Sequence, residues 1–187
     1  MADSGLVLIT PTSIAKTGGS STATIGTNGS VTFTLCESIS LNGVFSSTYD
    51  NYMVVARSDS GSGGSQNVIF RLRLSGTDAS GANYTWQWLQ ADGTTVNGVR
   101  TSSATNARVG LYAENTKVSG SAFYLFGPFL SQATAMRSKT AGGYLNAYLI
   151  DYVATHSLTT SYDGFTMTSE TAGSTFGGRI SVYGLRQ

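Results

Sequence analysis

Apolar and polar residues alternate along most of this chain, in short runs separated by Gly-, Asn- and Ser-rich breaks. In the clearest run, Phe70, Leu72 and Leu74 share one parity while Arg71 and Arg73 share the other. A period of two places alternate side chains on opposite faces of a β-strand, here one apolar and one polar face. Similar runs predict further strands at 6–9, 20–25, 30–35, 37–41, 52–57, 83–90, 94–100, 108–112, 122–126, 144–153, 165–168 and 179–183.

Turn-forming residues indicate where these strands end. The letters GTNG separate the runs at 20–25 and 30–35, and Asp92-Gly93 follows the run at 83–90. Asn-Gly and Asp-Gly tolerate the positive φ values of tight turns, so both places predict β-hairpins. The Gly/Ser-rich run 59–65 predicts a flexible exposed loop.

The pattern predicts an all-β fold. No segment keeps a helical period with capping residues at both ends. The nearest is 141–154, whose Gly-Gly beginning and Tyr, Ile and Val content favour a strand instead. About a dozen short strands separated by turns are typical of an antiparallel β-sandwich of the jelly-roll type, with a closed β-barrel as the second architecture. The length of 187 residues fits a single domain over 1–187.

Two segments repeat one pattern: Tyr, Asp, a residue that tolerates positive φ, and an aromatic residue that begins a strand. They are Tyr49-Asp50-Asn51-Tyr52 and Tyr162-Asp163-Gly164-Phe165. We interpret both as structural turns at which a strand starts. Asp50 and Asp163 are expected to accept backbone N–H hydrogen bonds there, and Asn51 and Gly164 to occupy the left-handed region. This interpretation gives the two aspartates a structural role rather than that of a catalytic pair.

Charge and composition narrow the function classes. The formal net charge is +1 and only 11% of the residues are charged. The chain has no basic stripe of the kind that predicts nucleic-acid binding. It also has no run of about 20 apolar residues of the kind that predicts membrane insertion. The N-terminus lacks the basic start and apolar core of a signal peptide, so we expect a cytosolic product or one released by lysis. Cys36 is the only cysteine, which excludes an intrachain disulfide, and it is predicted to pack as a small hydrophobe.

Residues that could carry catalysis are few. His156 is the only histidine, and no Gly-x-Ser-x-Gly elbow accompanies it. A glycosidase needs two carboxylates across a groove, whereas the candidates outside turns show no pairing signal: Glu37, Glu114, Asp151 and Glu170. Zinc-ligand, EF-hand and phosphate-loop spacings are lacking as well. The sequence therefore predicts no enzyme activity, no metal site and no cofactor.

The aromatic residues Tyr84, Trp86 and Trp88 fall on one face of a single predicted strand. Two indole rings on one face would form a platform on which sugar rings stack. The alternative is that this face points into the sandwich core, which large aromatic side chains help to fill. We favour the core for at least one tryptophan and keep Trp86 and Trp88 as a candidate glycan platform.

Six segments spread over the chain after residue 38 form a set: SISLNGVFSSTYDNY at 38–52, LRLSGTDASGANY at 72–84, YLFGPF at 124–129, HSL at 156–158, YDGF at 162–165 and GRISVYG at 178–184. Together they resemble small virion structural proteins, and C-terminal modules of tail proteins, from tailed bacteriophages, marine ones among them. The resemblance implies a non-enzymatic β-sandwich on the virion exterior, as a capsid decoration protein, a knob or a fibre-type appendage. Its alternative is a glycan-binding receptor-recognition module of a tail fibre, with a host surface glycan as partner.

The resemblance is weakest over 1–35, which we regard as a candidate attachment or oligomerisation segment. Larger tail proteins of this kind carry long N-terminal attachment regions, so their lack here favours a stand-alone accessory protein. The residues Ala2, Asp3, Ser4 and Gly5 are too small and polar to be ordered by core burial, so we expect an intermolecular contact there. The low charge content reduces the desolvation penalty of burying surface against protein. We therefore expect a homo-oligomer, with a trimer favoured, seated on other capsid or tail proteins.

Overall fold

The computed structural model describes residues 5–62, 66–114, 117–142 and 149–186, and within these ranges the chain forms only strands and irregular connections. All the strand pairs found there are antiparallel. The described residues contain sixteen strands: β1 (Leu6–Ile9), β2 (Ser13–Thr17), β3 (Thr22–Ile25), β4 (Val31–Cys36), β5 (Ser38–Asn42), β6 (Asn51–Gly61), β7 (Gln66–Leu74), β8 (Thr77–Asp78), β9 (Tyr84–Asp92), β10 (Thr95–Ala104), β11 (Ala107–Ala113), β12 (Ser119–Phe126), β13 (Thr134–Gly142), β14 (Leu149–His156), β15 (Gly164–Ser169) and β16 (Phe176–Leu185).

The strands form two sheets packed face to face, which confirms the predicted antiparallel β-sandwich of jelly-roll type. The large sheet has ten strands in the order β10-β9-β14-β13-β12-β6-β16-β4-β3, with β1 paired to the C-terminal half of β16. The small sheet has six strands in the order β11-β7-β15-β5-β2, with β8 beside β7. Because β5, β6 and β7 follow one another but alternate between sheets, contacts between distant parts of the chain hold the fold together.

The alternation in the sequence decides which face of each strand is buried. Phe70 and Leu72 of β7 are fully buried, whereas Arg71 and Arg73 lie on the outer face of the small sheet. Across the core, Phe70 meets Phe123 of the large sheet, with ring centroids 5.6 Å apart. Each such fully buried side chain contributes about 1.5–3 kcal/mol to stability.

Strand β13 shows no apolar alternation, and the sequence pattern did not predict it. Its buried side chains are one methionine and three hydroxyl residues: Thr134, Met136, Ser138 and Thr140. The hydroxyls of Ser138 and Ser121 donate to the carbonyl oxygen of Val109, at 2.6 and 2.8 Å. The pairing of β11 with β7 shifts register between Arg108 and Tyr112. The Val109 carbonyl therefore lies outside the regular pairing of these two strands. A buried carbonyl needs a donor, and the inward hydroxyls supply it.

The predicted turns are confirmed where the structure describes them. β3 pairs with β4 and β9 with β10 as hairpins, and Gly29 and Gly93 take φ values of 79° and 57°. β6 continues to Gly61, three residues into the predicted loop, and 63–65 lie outside the described residues. The predicted strand at 144–153 is found from Leu149 onward, and its first part also lies outside them.

The two Tyr-Asp segments are confirmed as places where a strand starts, since β6 begins at Asn51 and β15 at Gly164. The expected left-handed backbone is wrong, because neither residue has a positive φ. Gly164 is required for a different reason: a Cβ there would lie 2.2 Å from the carbonyl oxygen of Leu41. The following aromatic residues, Tyr52 and Phe165, are both buried in the core.

The two aspartates act through different atoms. Asp50 accepts a hydrogen bond from the Gly127 N–H through its backbone carbonyl, at 2.9 Å. Asp163 uses its carboxylate, because Oδ2 accepts from the backbone N–H of Ser75 at 3.0 Å. The side chain of Asp163 therefore stabilises a turn, but it is the turn between β7 and β8 rather than its own.

The N-terminal part of the chain contributes to both sheets: β1 pairs with β16, β2 with β5, and β3 with β4. Ala2, Asp3 and Ser4 lie outside the described residues. Gly5 is exposed, and its carbonyl accepts a hydrogen bond from the Arg186 N–H at 3.0 Å. The attachment role of 1–35 stays a prediction.

Candidate functional site

A polar groove of about 380 Å³ lies on the outer face of the small sheet. Residues of β2, β5, β15, β7 and β8 line it, together with Glu37 between β4 and β5 and the connection at 171–173. The lining consists of seven Ser or Thr residues, three cations and two carboxylates, with two alanines and a glycine as the remainder. Because no large apolar or aromatic side chain lines this small-sheet groove, it suits a polar ligand.

A connected hydrogen-bond network forms the floor of the groove. Arg73 donates from Nε to Asn42 Oδ1 at 2.9 Å and from Nη1 to Thr166 Oγ1 at 3.2 Å, and it forms an ion pair with Asp78. Thr166 donates to Asp78 Oδ1 at 2.6 Å and lies 2.9 Å from Ser40 Oγ. Since Arg73 and Asp78 bind each other and the floor, they hold the groove in shape.

Arg71 is placed differently. It lies opposite Thr166 in the sheet register, and its Nε donates to the Thr105 carbonyl at 3.0 Å. Among the described residues, its two amino groups have no hydrogen-bond partner. Glu37 lies across β15 from Arg71, and its carboxylate is also without a partner in the described ranges. The groove therefore offers a free cation and a free carboxylate on opposite sides of a hydroxyl-rich floor.

One sequence feature points to this groove, the alternation of Arg71 and Arg73 with apolar residues. That signal predicts a polar face but not a concave one. The remaining lining residues come from strands that only the sheet order brings together, so their spacing along the chain carries no motif.

The structure overturns the tryptophan platform at Trp86. This side chain is 8% exposed and points into the sandwich, and the guanidinium carbon of Arg108 lies 4.9 Å from its ring centroid. A buried ring beneath a cation cannot stack on a sugar. The expectation that at least one tryptophan belongs to the core is confirmed by Trp86. Trp88 is half-buried against the same core, and its indole N–H has no partner in the described part of the chain.

A second notable surface is the edge hairpin, formed by β9 and β10 at one end of the large sheet. Among the described strands, β10 pairs only with β9, which leaves its other edge open. Its side chains are exposed on both faces: Val96 on the outer face is 70% exposed, and Val99, opposite Trp88 on the inner face, is 43% exposed. Strand β10 thus extends from the sandwich with little of its surface covered.

The most exposed large apolar side chains gather beside this hairpin. Leu89, Val96 and Leu149 are 54, 70 and 68% exposed. Val96 and Leu149 are both register partners of Ala91, so they flank β9 on the outer face of the large sheet. Val153, 49% exposed, lies two residues after Asp151 on the same face of β14. We call these four apolar side chains the apolar patch.

His156 is an interior residue. It is fully buried between Tyr84 and Tyr162, whose ring centroids lie 4.4 and 5.2 Å from its own. In the described ranges the single hydrogen bond of its imidazole is between Nδ1 and the Tyr162 hydroxyl, at 3.4 Å. Burial lowers the pKa of His156 below its ordinary 6.5. No serine is paired with the imidazole among the described residues, so the geometry of a Ser/His/Asp triad is not assembled there.

Three of the four carboxylates considered for hydrolysis are paired separately. Glu114 binds Lys117 at 2.8 Å, Asp151 binds Arg137 at 2.8 Å, and Glu170 forms an ion pair with Arg108. Within the described ranges, no group of three or more His, Cys, Asp or Glu side chains could hold a metal ion. In the same part of the chain, no helix has the length and apolarity needed to cross a membrane.

No family model matches the chain. No curated protein matches it either. Among solved structures it is similar to peanut lectin with a 9mer peptide, at 10% identity over 93% of this chain and 92% of that one, with a TM-score of 0.45. It is also similar to a protein of unknown function from Shewanella oneidensis MR-1 (5% identity, 97% and 79% covered, TM-score 0.26) and to basic winged bean lectin with Tn-antigen (6% identity, 97% and 99% covered, TM-score 0.23).

Proposed function

We propose that this protein is a non-enzymatic structural protein on the exterior of a tailed-bacteriophage virion, where it acts in particle assembly, stabilisation or surface display. An assembly role is supported by strand β10, which lies at the edge of the large sheet and is exposed on both faces. The phage assignment rests on the sequence resemblance, in which a capsid decoration protein, a knob or a fibre-type appendage are the forms the protein would take.

The open edge of β10 supports docking by a protein partner. The strand has ten residues, contains no proline and carries one charge, Arg100. Its outward N–H and C=O groups form a template for another strand. Folded proteins ordinarily protect such edges with prolines, charges, bulges or a covering segment. Among these devices, β10 has only the single charge of Arg100 and a register shift near its end, between Thr101 and Ala104.

The apolar patch indicates that the outer face of the large sheet beside the edge hairpin belongs to the same protein contact. Interfaces that persist bury roughly 1,200–2,000 Å² in total, and their centres are apolar and poor in charge. We propose other copies of this chain as the principal partners, because each copy brings an apolar patch and an open strand edge that association would cover. The stoichiometry we propose is a trimer, with other capsid or tail proteins as further neighbours.

Light scattering on the purified protein tests the oligomer. We expect a trimer, and we expect the double substitution Val96→Asp and Leu149→Asp to yield folded monomers. Leu158→Asp is the matched control, because Leu158 is 43% exposed but lies outside the patch. A monomeric wild type, free and on the particle, contradicts the proposal. A dimer would replace the trimer with a two-fold pairing of β10 edges.

The location on the virion is tested separately. Antibody labelling or image reconstruction of intact particles should place the protein on the exterior of the head or tail. A chain lacking residues 2–5 tests the attachment segment without removing β1, and we expect its incorporation into particles to fall. Normal incorporation of this shortened chain would contradict the attachment role.

The lack of enzyme activity is part of the proposal. It is supported by the burial of His156 between two tyrosines and by the separate ion pairs of Glu114, Asp151 and Glu170. Reproducible polysaccharide cleavage that His156→Ala or Asp151→Asn abolishes would contradict it.

A further inference from the structure

We infer that the small-sheet groove binds a carboxylated sugar, with Arg71 binding the carboxylate and the Ser/Thr floor and Glu37 binding the hydroxyls. This site is separate from the proposed assembly contact, since it lies on the other sheet of the sandwich. A virion that displays the protein would therefore present this groove while the edge hairpin is occupied.

The first argument is the chemistry of the lining. A volume of about 380 Å³ accommodates a small ligand, and the lining offers hydroxyl and charged groups with no apolar wall larger than alanine. An apolar or aromatic ligand would leave these polar groups without partners, which costs affinity. A ligand covered with hydroxyls can satisfy them in turn.

The second argument is that the two arginines of the groove differ in how many partners they bind. Arg73 is committed to Asn42, Thr166 and Asp78, and its side chain is 13% exposed. Arg71 is held by one bond, from Nε to the Thr105 carbonyl, which fixes the guanidinium and leaves its amino groups free. A guanidinium presents parallel N–H donors that match the two oxygens of a carboxylate. Arg71 is therefore placed to bind the one charged group of the ligand.

The third argument concerns the remaining charges of the groove. Lys16 donates from Nζ to Ser21 O and Oγ at 2.7 and 3.0 Å, so it is already engaged at the edge of the small sheet. Among the described residues that line the groove, Glu37 is the one carboxylate without a partner, and β15 separates it from Arg71. A carboxylate bound at Arg71 is thus kept away from Glu37, whose oxygens can accept hydrogen bonds from sugar hydroxyls.

A glycan array provides the test, provided that it carries sialylated and uronic-acid glycans beside their neutral parents and sulfated forms. We expect binding only to the carboxylated glycans, weakened about 10- to 100-fold by Arg71→Gln. Thr168→Val should weaken it less, since it removes one groove hydroxyl and keeps the side-chain shape. Arg57→Gln is the matched control, an exposed arginine on the large sheet.

Each other outcome contradicts the inference. Equal binding of neutral parents removes the role of Arg71, and equal binding of sulfated glycans shows a general anion site. Binding that Arg71→Gln leaves unchanged, in a variant with wild-type thermal unfolding, places the ligand elsewhere. No binding to any carboxylated glycan at millimolar concentration by titration calorimetry rejects the site altogether.

Discussion

Asp163 and Ser75, 88 positions apart in the chain, are joined by a hydrogen bond of 3.0 Å from the Ser75 backbone N–H to Asp163 Oδ2. Ser75 has a positive φ of 49°, so this bond stabilises a turn with an unfavourable backbone conformation. The backbone of Asp163 also donates to the Arg73 carbonyl at 3.0 Å and accepts from the N–H groups of Val44 and Phe45 at 2.9 and 3.1 Å. Asp163 thus joins three connections of the small sheet at one end of the sandwich.

This arrangement predicts that Asp163→Ala lowers the free energy of unfolding by about 1–2 kcal/mol, because a charge-assisted hydrogen bond to a backbone N–H is lost. Asp163→Asn retains an acceptor oxygen and should lose less. Asp151→Ala is the control, since it breaks only the exposed ion pair with Arg137 and should leave the stability nearly unchanged. Urea unfolding of the three variants measures these values. An Asp163→Ala variant with unchanged stability but lost particle attachment would show that Asp163 belongs to a binding site.

A second prediction concerns Gly164. We expect Gly164→Ala to destabilise the protein by about 1–3 kcal/mol or more, because its Cβ would lie 2.2 Å from the Leu41 carbonyl oxygen and one strand must move. Gly19→Ala is the control, since nothing lies within 4 Å of the added atom there. Thermal unfolding of both variants compares them. Equal melting temperatures would show that β15 and β5 can separate without loss.

A third prediction concerns pH. Burial lowers the pKa of His156 in the folded protein below 6.5, so the unfolded chain binds this proton more readily. The contribution of His156 to stability is therefore full above pH 6.5 and is lost as the pH falls below that value toward the folded pKa. We expect the unfolding free energy of the wild type to fall as the pH drops below 6.5, and that of His156→Gln to fall less. Parallel slopes for the two proteins would contradict this expectation.

A fourth prediction concerns Cys36, which is fully buried as the sequence predicted. Burial raises the pKa of its thiol, and the nearby Lys16 opposes this effect only in part. Little thiolate is therefore present or accessible at pH 8. We expect no reaction with a disulfide-forming thiol reagent in the folded state and complete reaction in denaturant. Fast modification of the native protein would show that β4 opens.

The sequence predicted those elements whose buried side chains are apolar. Strand β7, whose Phe70 and Leu72 point inward, follows a period of two that is visible in the sequence. Strand β13 does not, because its inward Ser138 binds the Val109 carbonyl of the opposite sheet, and this requirement arises only once the sheets are packed. The groove could not be predicted from the sequence for a similar reason. Arg71 and Glu37 line the same groove only through the strand order β7-β15-β5, which the chain does not encode locally.

The last prediction separates the two tryptophans of β9. Trp86→Ala should cost about 3–5 kcal/mol, because it removes a buried ring and the cation contact with Arg108. Trp88→Ala should cost less, since Trp88 is half-buried and its indole N–H has no partner among the described residues. Urea unfolding measures both. Trp86→Phe keeps an aromatic ring in the core and gives a folded protein in which any glycan binding should persist. Loss of glycan binding at unchanged stability, in either Trp86→Phe or Trp88→Ala, would show that the tryptophans form a sugar-binding platform. That result would contradict the core assignment.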